Sequence, residues 1–564
     1  MILSALSLFR KFNLTNPLKT EESEEIRLSS AMKMREVTFS GHACEDGDAR
    51  IFARFYRPLT TDKTPAVLLL CALHQTDEQT EELAAFFVKK GYSVLVPDYK
   101  GEWDGCKEQR TVYPPSISYA DFKNAELYKL DESAEKTCWF EWTYVALYAV
   151  EYLKTQEDIT GIGAVGIRTG GEVLWKAMLS PDIKCGVPVN AAGWQAYFNY
   201  DKFSEKSERN MSDERHAYIA GIESQSYAPF VKCPVLMLCS MRDYTFDYDR
   251  AHDTFSRLAN KDGSAIVYSP DCGPCIGPYA LKDMELFLER NLKGRAIFIP
   301  AGVDLNFKQQ GETLIAELEA DTGGIIEEAG VFYSETGEET ESAFREWQSA
   351  LKVDGKALKN GKQACQITPF EGTKFVFAYA YARYINGFKV TSKIVAKKLE
   401  TFKSRPVKSR VVYSGDEVDC FSVLDHERFA DGGIFLESEA VPKRIEGYGK
   451  IKGAYSPGGI RTYKIASPKY EADENALLEF DAYAKETAVL NIYVEVSVKG
   501  DTFRTYTASV EVKGGGKWKR NILKAGDFKC EETGEPLRSF SCGTALAFAS
   551  DTQSEYAVTN VLWL

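Results

Sequence analysis

From Thr38 to about Leu292 the chain alternates short apolar runs with stretches of helical period, and that alternation leaves few folds open to it. Residues 66–71 read as a buried strand, 81–91 as a helix with its glycine stop, and 92–97 as the next strand. A helix over 133–154 leads into the apolar strand 162–167, and a further helix begins near Gly170. Strand 185–190, a polar insertion over 197–225, strand 234–240, helix 248–259, strand 265–269 and helix 279–292 complete the series. Strands and helices in this order predict one doubly wound, mostly parallel sheet covered on both faces.

Past Lys293 helical periodicity nearly vanishes, and short alternating strands are punctuated by Gly, Asn and Asp. Two β-sandwich units are expected, over 294–406 and 407–564, divided near Lys403-Ser-Arg-Pro-Val-Lys408. Residues 1–37 are read as a loosely attached extension. Thr20-Glu-Glu-Ser-Glu-Glu25 is a charge run of the solvated kind, and Met1–Phe9 forms a short amphipathic leader. The expected fold class is thus multidomain: extension 1–37, α/β unit 38–293, then two sandwiches.

Composition removes several function classes. A formal charge of −13 with no sustained Lys/Arg run argues against nucleic acid, whose phosphates demand clustered cations. No run reaches the roughly 18–20 apolar residues of a membrane span, so no membrane partner is expected. The thirteen cysteines are odd in number and scattered, and Cys71, Cys233 and Cys239 sit in apolar runs; that usage fits a reducing, cytoplasmic setting.

The stretch Gly166-Ile167-Arg168-Thr169-Gly170-Gly171 joins a buried strand to a helix through a glycine-rich turn. It resembles the G-x-S-x-G elbow of the α/β-hydrolase superfamily, and residues 38–293 look nearest in texture to the dienelactone-hydrolase and acyl-thioesterase-like branches. The resemblance sets Arg168 at the nucleophile position, and a guanidinium neither deprotonates in water nor attacks a carbonyl. It sets the acid at Asp243 and the base in the loop Pro270-Asp-Cys-Gly-Pro-Cys-Ile-Gly277, which holds no histidine. The five histidines are His42, His74, His216, His252 and His426. Of these, His74 ends the first core strand, where related hydrolases carry a His-Gly pair near the oxyanion hole; here Gln75 follows it. One triad member of three survives. The expectation is a non-catalytic binding or structural pseudo-hydrolase, with Arg168, Thr169, Gly170, His74 and Gln75 as candidate contacts to a small anionic or acyl ligand. An atypical hydrolase of carboxylic, acyl or lactone esters is the alternative.

Cys272-Gly-Pro-Cys275 reproduces a thioredoxin-type thiol sequence between a strand and a helix, which makes a thiol protein the third reading against two inert loop cysteines. No second C-x-x-C or H-x-x-H pair completes four ligands, so neither metal nor cofactor is expected. Asp98 reads as a turn cap, and Trp139, Trp142 and Tyr144 as helix core. In the last unit, Gly453-Ala-Tyr-Ser-Pro-Gly-Gly459 and Tyr556–Leu564 resemble galactose-binding-like jelly rolls. That resemblance implies a carbohydrate partner for this unit, with plain packing as the competing role.

Overall fold

The computed structural model describes residues 4–564 apart from 61, 74, 76, 102–109, 131–132, 198–199, 205–210, 242–245, 271–275, 277, 339, 343–344, 406–407, 416–420, 424–442, 458, 499–501, 531 and 551–554. Its α/β unit is built on β1 (Met32–Cys44), β2 (Gly47–Pro58), β3 (Thr64–Leu70), β4 (Ser93–Pro97), β5 (Ile159–Ile167), β6 (Ile183–Val189), β7 (Leu236–Ser240) and β8 (Ala265–Ser269). These strands lie in the order β1-β2-β4-β3-β5-β6-β7-β8. Strand β2 runs antiparallel to both neighbours, and from β4 to β8 every pairing is parallel.

Helices α1 (Asp77–Lys89), α2 (Cys138–Thr155), α3 (Thr169–Ala177), α4 (Asp213–Gly221), α5 (Tyr248–Ser256) and α6 (Pro278–Lys293) connect or follow the strands. Because side chains alternate along a strand, β3 buries both faces: Leu68 and Leu70 join the core with α2 and α3, Val67 and Leu69 the core with α1 and α6. Strand order, the antiparallel second strand and helices on both faces together make this an α/β-hydrolase fold.

The N-terminal segment corrects the sequence expectation. Strand β1 already begins at Met32, and Glu21–Glu22 pair antiparallel with Val37 and Thr38, adding to the sheet edge. Leu8 is buried, and Phe12 stacks on Phe140 at 4.5 Å and meets Tyr144 edge-on at 4.7 Å. The acidic run keeps its side chains in solvent, where Glu22 pairs with Arg35 at 2.8 Å, while its backbone finds the sheet. The charge run spoke for the side chains and said nothing of the main chain.

A first sandwich follows, with β9 (Val303–Gln310), β10 (Thr313–Ala320), β11 (Ile326–Thr336), β12 (Gln348–Asp354), β13 (Lys362–Ile367), β14 (Phe375–Tyr384), β15 (Lys389–Thr391) and β16 (Val395–Lys398). One sheet is β9-β10-β13; the other is β12-β11-β14-β15, with β16 also on β14. Two six-stranded antiparallel sheets between Val411 and Trp563 form the second sandwich around a separate core that includes Phe480, Ile492, Phe548 and Val558.

Candidate functional site: the strand-to-helix elbow

Strand β5 delivers the chain to the carboxyl edge of the sheet, with Gly166 beside Leu70 of β3 and Ile167 beside Val189 of β6. Helix α3 starts at the next residue but one. Arg168 is the hinge between them, at φ 51° and ψ −114°, a conformation that costs a non-glycine residue on the order of 1–3 kcal/mol. Its N–H donates to the Val189 carbonyl at 2.8 Å, and its carbonyl accepts from the Glu172 N–H at 2.9 Å. The turn is this tight only because its glycines permit it. A Cβ on Gly170 would lie 2.2 Å from the Leu70 carbonyl oxygen, and one on Gly166 would lie 2.5 Å from that of Gly170. Arg168 and Thr169 are both buried, and neither is free of partners.

Neighbouring strand ends supply the surroundings. Gln75 is buried beyond β3, where its carbonyl accepts from the Ala72 N–H at 3.3 Å and its amide donates to Thr80 Oγ1 at 3.1 Å. It therefore staples the strand end to α1. Asp98, after β4, accepts from the N–H groups of Gly101 and Thr111, each at 3.1 Å, and burial pushes its carboxyl up to about 6. The expected turn cap is what the structure shows. Trp139, Trp142 and Tyr144 lie in the α2 core as expected.

Of the sequence candidates, the elbow brings Arg168, Thr169 and Gly170 together. His74, Asp243, Cys272 and Cys275 lie outside the described residues. His42 sits at the end of β1, its Nδ1 2.8 Å from Glu141 and its ring stacked on Tyr144 at 4.1 Å. His216 is exposed on α4, and His252 lies on α5, where burial pulls its imidazole down to about 4. Among the described residues no group of three or more His, Cys, Asp or Glu could hold a metal ion, and no helix is long and apolar enough to cross a membrane. In the last sandwich Tyr556 and Trp563 are core residues.

Sequence reasoning missed a buried charge cluster behind the elbow. Glu172 and Lys176 stand one turn apart on α3, both buried, and the Lys176 Nζ donates to the Glu172 carbonyl at 2.9 Å. The ammonium also lies over the rings of Trp139 and Tyr227, at 5.1 and 5.4 Å. The Glu172 carboxylate accepts from Gly193 N–H at 2.9 Å and from the Ser224 hydroxyl, while Glu223 accepts from Ala196 N–H at 2.6 Å. Burial pushes Glu223 up to about 7, with the Glu172 charge adding to it, and pulls Lys176 down to about 8. The available signal was a Glu-x-x-x-Lys pair in an otherwise apolar helix.

A second missed feature ties the sandwich to this end of the sheet. Helix α5 follows the 242–245 segment, and its Asp249 takes a bidentate ion pair from Arg345, at 2.5 and 2.7 Å, with both side chains buried. Arg345 also stacks on Phe377 at 3.7 Å, and the Tyr248 hydroxyl donates to the Ser342 carbonyl at 2.7 Å.

No family model matches the chain, and no curated protein matches it. Among solved structures it is similar to acetyl xylan esterase 1 from a Thermoanaerobacterium species, at 17% identity and TM-score 0.38 over 50% of this chain and 92% of that one. An acetyl xylan esterase from a Paenibacillus species gives 14% and 0.38 over 51% and 92%, and an acylaminoacyl peptidase from Pyrococcus horikoshii 15% and 0.35 over 48% and 44%. Likeness at this level carries nothing about chemistry, and the fold described above rests on its own strand order.

Proposed function

We propose that the α/β unit is a pseudo-hydrolase, a hydrolase scaffold whose elbow binds or braces instead of cutting. The carrying observation is residue 168. The backbone there has the strained hinge geometry that would present a nucleophile, yet the side chain is a buried guanidinium, permanently protonated and without a lone pair to donate. Thr169 offers no ready substitute, since it is the first residue of α3, where the hydrolase resemblance would have it give its N–H and turn its side chain away. A degenerate triad belongs to the same proposal, with Asp243 left as the acid and the 270–277 loop without an imidazole. The ligand class it would take is a small anion or an acyl compound, met by a planar fork of donors above a helix N-terminus. The scattered free thiols support a reducing, cytoplasmic setting.

The alternative, an atypical ester hydrolase using His74 or another base, draws support from the intact hinge backbone. One experiment separates them. The purified protein is expected neither to hydrolyse short-chain activated esters nor to be labelled by a fluorophosphonate, and Arg168→Ser alone is expected to leave it without efficient turnover. Stoichiometric labelling of any serine or threonine, or substantial turnover in that variant, would establish the hydrolase reading instead. Insulin reduction lost on Cys272→Ser would favour the thiol reading.

A further inference from the structure

The first sandwich meets the α/β unit along β8 and α5, and between them lies a cleft of about 570 Å³. Its sheet-side floor is formed by Ala265 and Ile266, the first residues of β8, so it opens at the end of the sheet opposite Arg168. No elbow residue lines it. The far side of the floor comes from Val303 and Val390 of the sandwich, and the tilted rings of His252 and Phe255, 5.8 Å apart, stand on the α5 side. Clefts of this size between domains are the usual seat of small ligands.

The polar groups of the cleft decide the class. Glu319 is already paired with Lys362 at 2.9 Å, and the two oxygens of Asp321 accept from the N–H groups of Ala301 and Gly323, both at 2.8 Å. Lys261, Asp304 and Asn360 line the exposed rim, and among the described residues their side chains make no hydrogen bond or ion pair. Those three offer a cationic donor, an anionic acceptor and an amide that does both. With Lys261 cationic and Asp304 and Asp321 anionic, the lining carries charge of both signs, so a strongly charged ligand of either sign meets a like charge. The floor residues Ala265, Ile266, Val303 and Val390 are already buried by the protein, so they offer an acyl chain little surface. His252, pulled down by burial, is neutral at physiological pH and adds a ring face and a neutral hydrogen-bonding group.

We propose that this interdomain cleft binds an uncharged polyhydroxylated ligand of one or two saccharide units. Its hydroxyls would meet Asp304, Asn360 and Lys261 along the rim, and the apolar face of the ring would pack toward the half-buried His252.

Saturation-transfer difference NMR on the full chain with glucose, galactose, maltose and lactose tests this. Transfer to the ring protons of at least one sugar is expected, with affinity reduced tenfold or more in the Asp304→Ala/Asn360→Ala variant. Both side chains are exposed, so the thermal midpoint of that variant should match the parent. Thr322→Trp, which fills the rim without touching either residue's chemistry, should abolish the same signal. If none of the four sugars shows transfer, or if binding survives both variants, the cleft is not a sugar site; survival would place the sugar elsewhere on the chain.

Discussion

At the scale of single residues the decisive position is 168. A buried guanidinium must be neutralised by a neighbour or by a ligand, because an unpaired charge taken from water is costly. Asp243 is the carboxylate that the hydrolase resemblance sets opposite it, and on the proposed reading, with no histidine in the sequence 270–277, that acid would lack its ordinary partner. We expect an internal pair. Arg168→Ala should then destabilise the fold by on the order of 3–5 kcal/mol through the stranded carboxylate. Thermal unfolding of Arg168→Ala, Asp243→Ala and the double variant measures the coupling; losses that simply add would exclude the pair and turn attention to an anionic ligand. Position 168 was legible in the sequence because its neighbours fix the turn around it. Gln75 was only half legible, since its place after β3 could be read but its bonds to Ala72 and Thr80 needed coordinates.

At the scale of elements, α3 is a helix buried all round whose Glu172 and Lys176 must be satisfied inside the protein. For Glu172 the loop from Asn190 to Trp194 does part of this through the Gly193 N–H, at some cost, with positive φ at Asn190, Gly193 and Trp194. Glu223, held up near 7, contributes stability that is full below its unfolded value near 4.5 and is lost as pH rises through 7. Lys176, held down near 8, acts in the opposite sense: its contribution is full above its unfolded value near 10.5 and is lost as pH falls through 8. Glu223→Gln isolates the first effect. It should match the parent in thermal midpoint at pH 5 and exceed it at pH 8.5 by a few degrees, about 1–2 kcal/mol. A variant equally displaced at both pH values would show that Glu223 is not held protonated in the fold. The periodicity of α3 was readable from sequence, but the partners of the Glu172 carboxylate stand 21 and 52 residues later, at Gly193 and Ser224.

For the whole molecule, the α/β unit and the first sandwich share cores. Phe377 and Tyr379 of β14 belong with α2 and α3 residues in one cluster, and Val303 and Leu305 of β9 belong with α1 and α6 residues in the other. The side chain of Thr391 also accepts from Tyr268 N–H and donates to the Ile266 carbonyl, each at 3.1 Å, so β15 covers the exposed edge strand β8. Calorimetry should therefore show these two units unfolding in one transition, with the last sandwich, whose core is its own, in another. Arg345→Ala breaks a buried bidentate pair and should lower the first transition alone, by roughly 3–5 kcal/mol. Independent melting of the α/β unit and the first sandwich, or a variant that leaves both transitions in place, would contradict this.

The sequence by itself determined the α/β alternation, the change to β texture past Lys293 and the arginine at the elbow. Each of these is local: hydrophobic period and glycine spacing act within a dozen residues, and they specify strand, helix and turn before any long-range contact forms. Tertiary structure alone decided that Leu8 and Phe12 anchor the N-terminal segment, that Glu172 and Lys176 meet Glu223 and Ser224 in the interior, and that Asp249 takes Arg345 from the next unit. Those outcomes turn on which distant surfaces come to face each other. A buried charge or a short apolar segment reads the same in sequence whether its partner is water or a side chain about 100 residues away, because burial and pairing belong to the packed chain rather than to the residue.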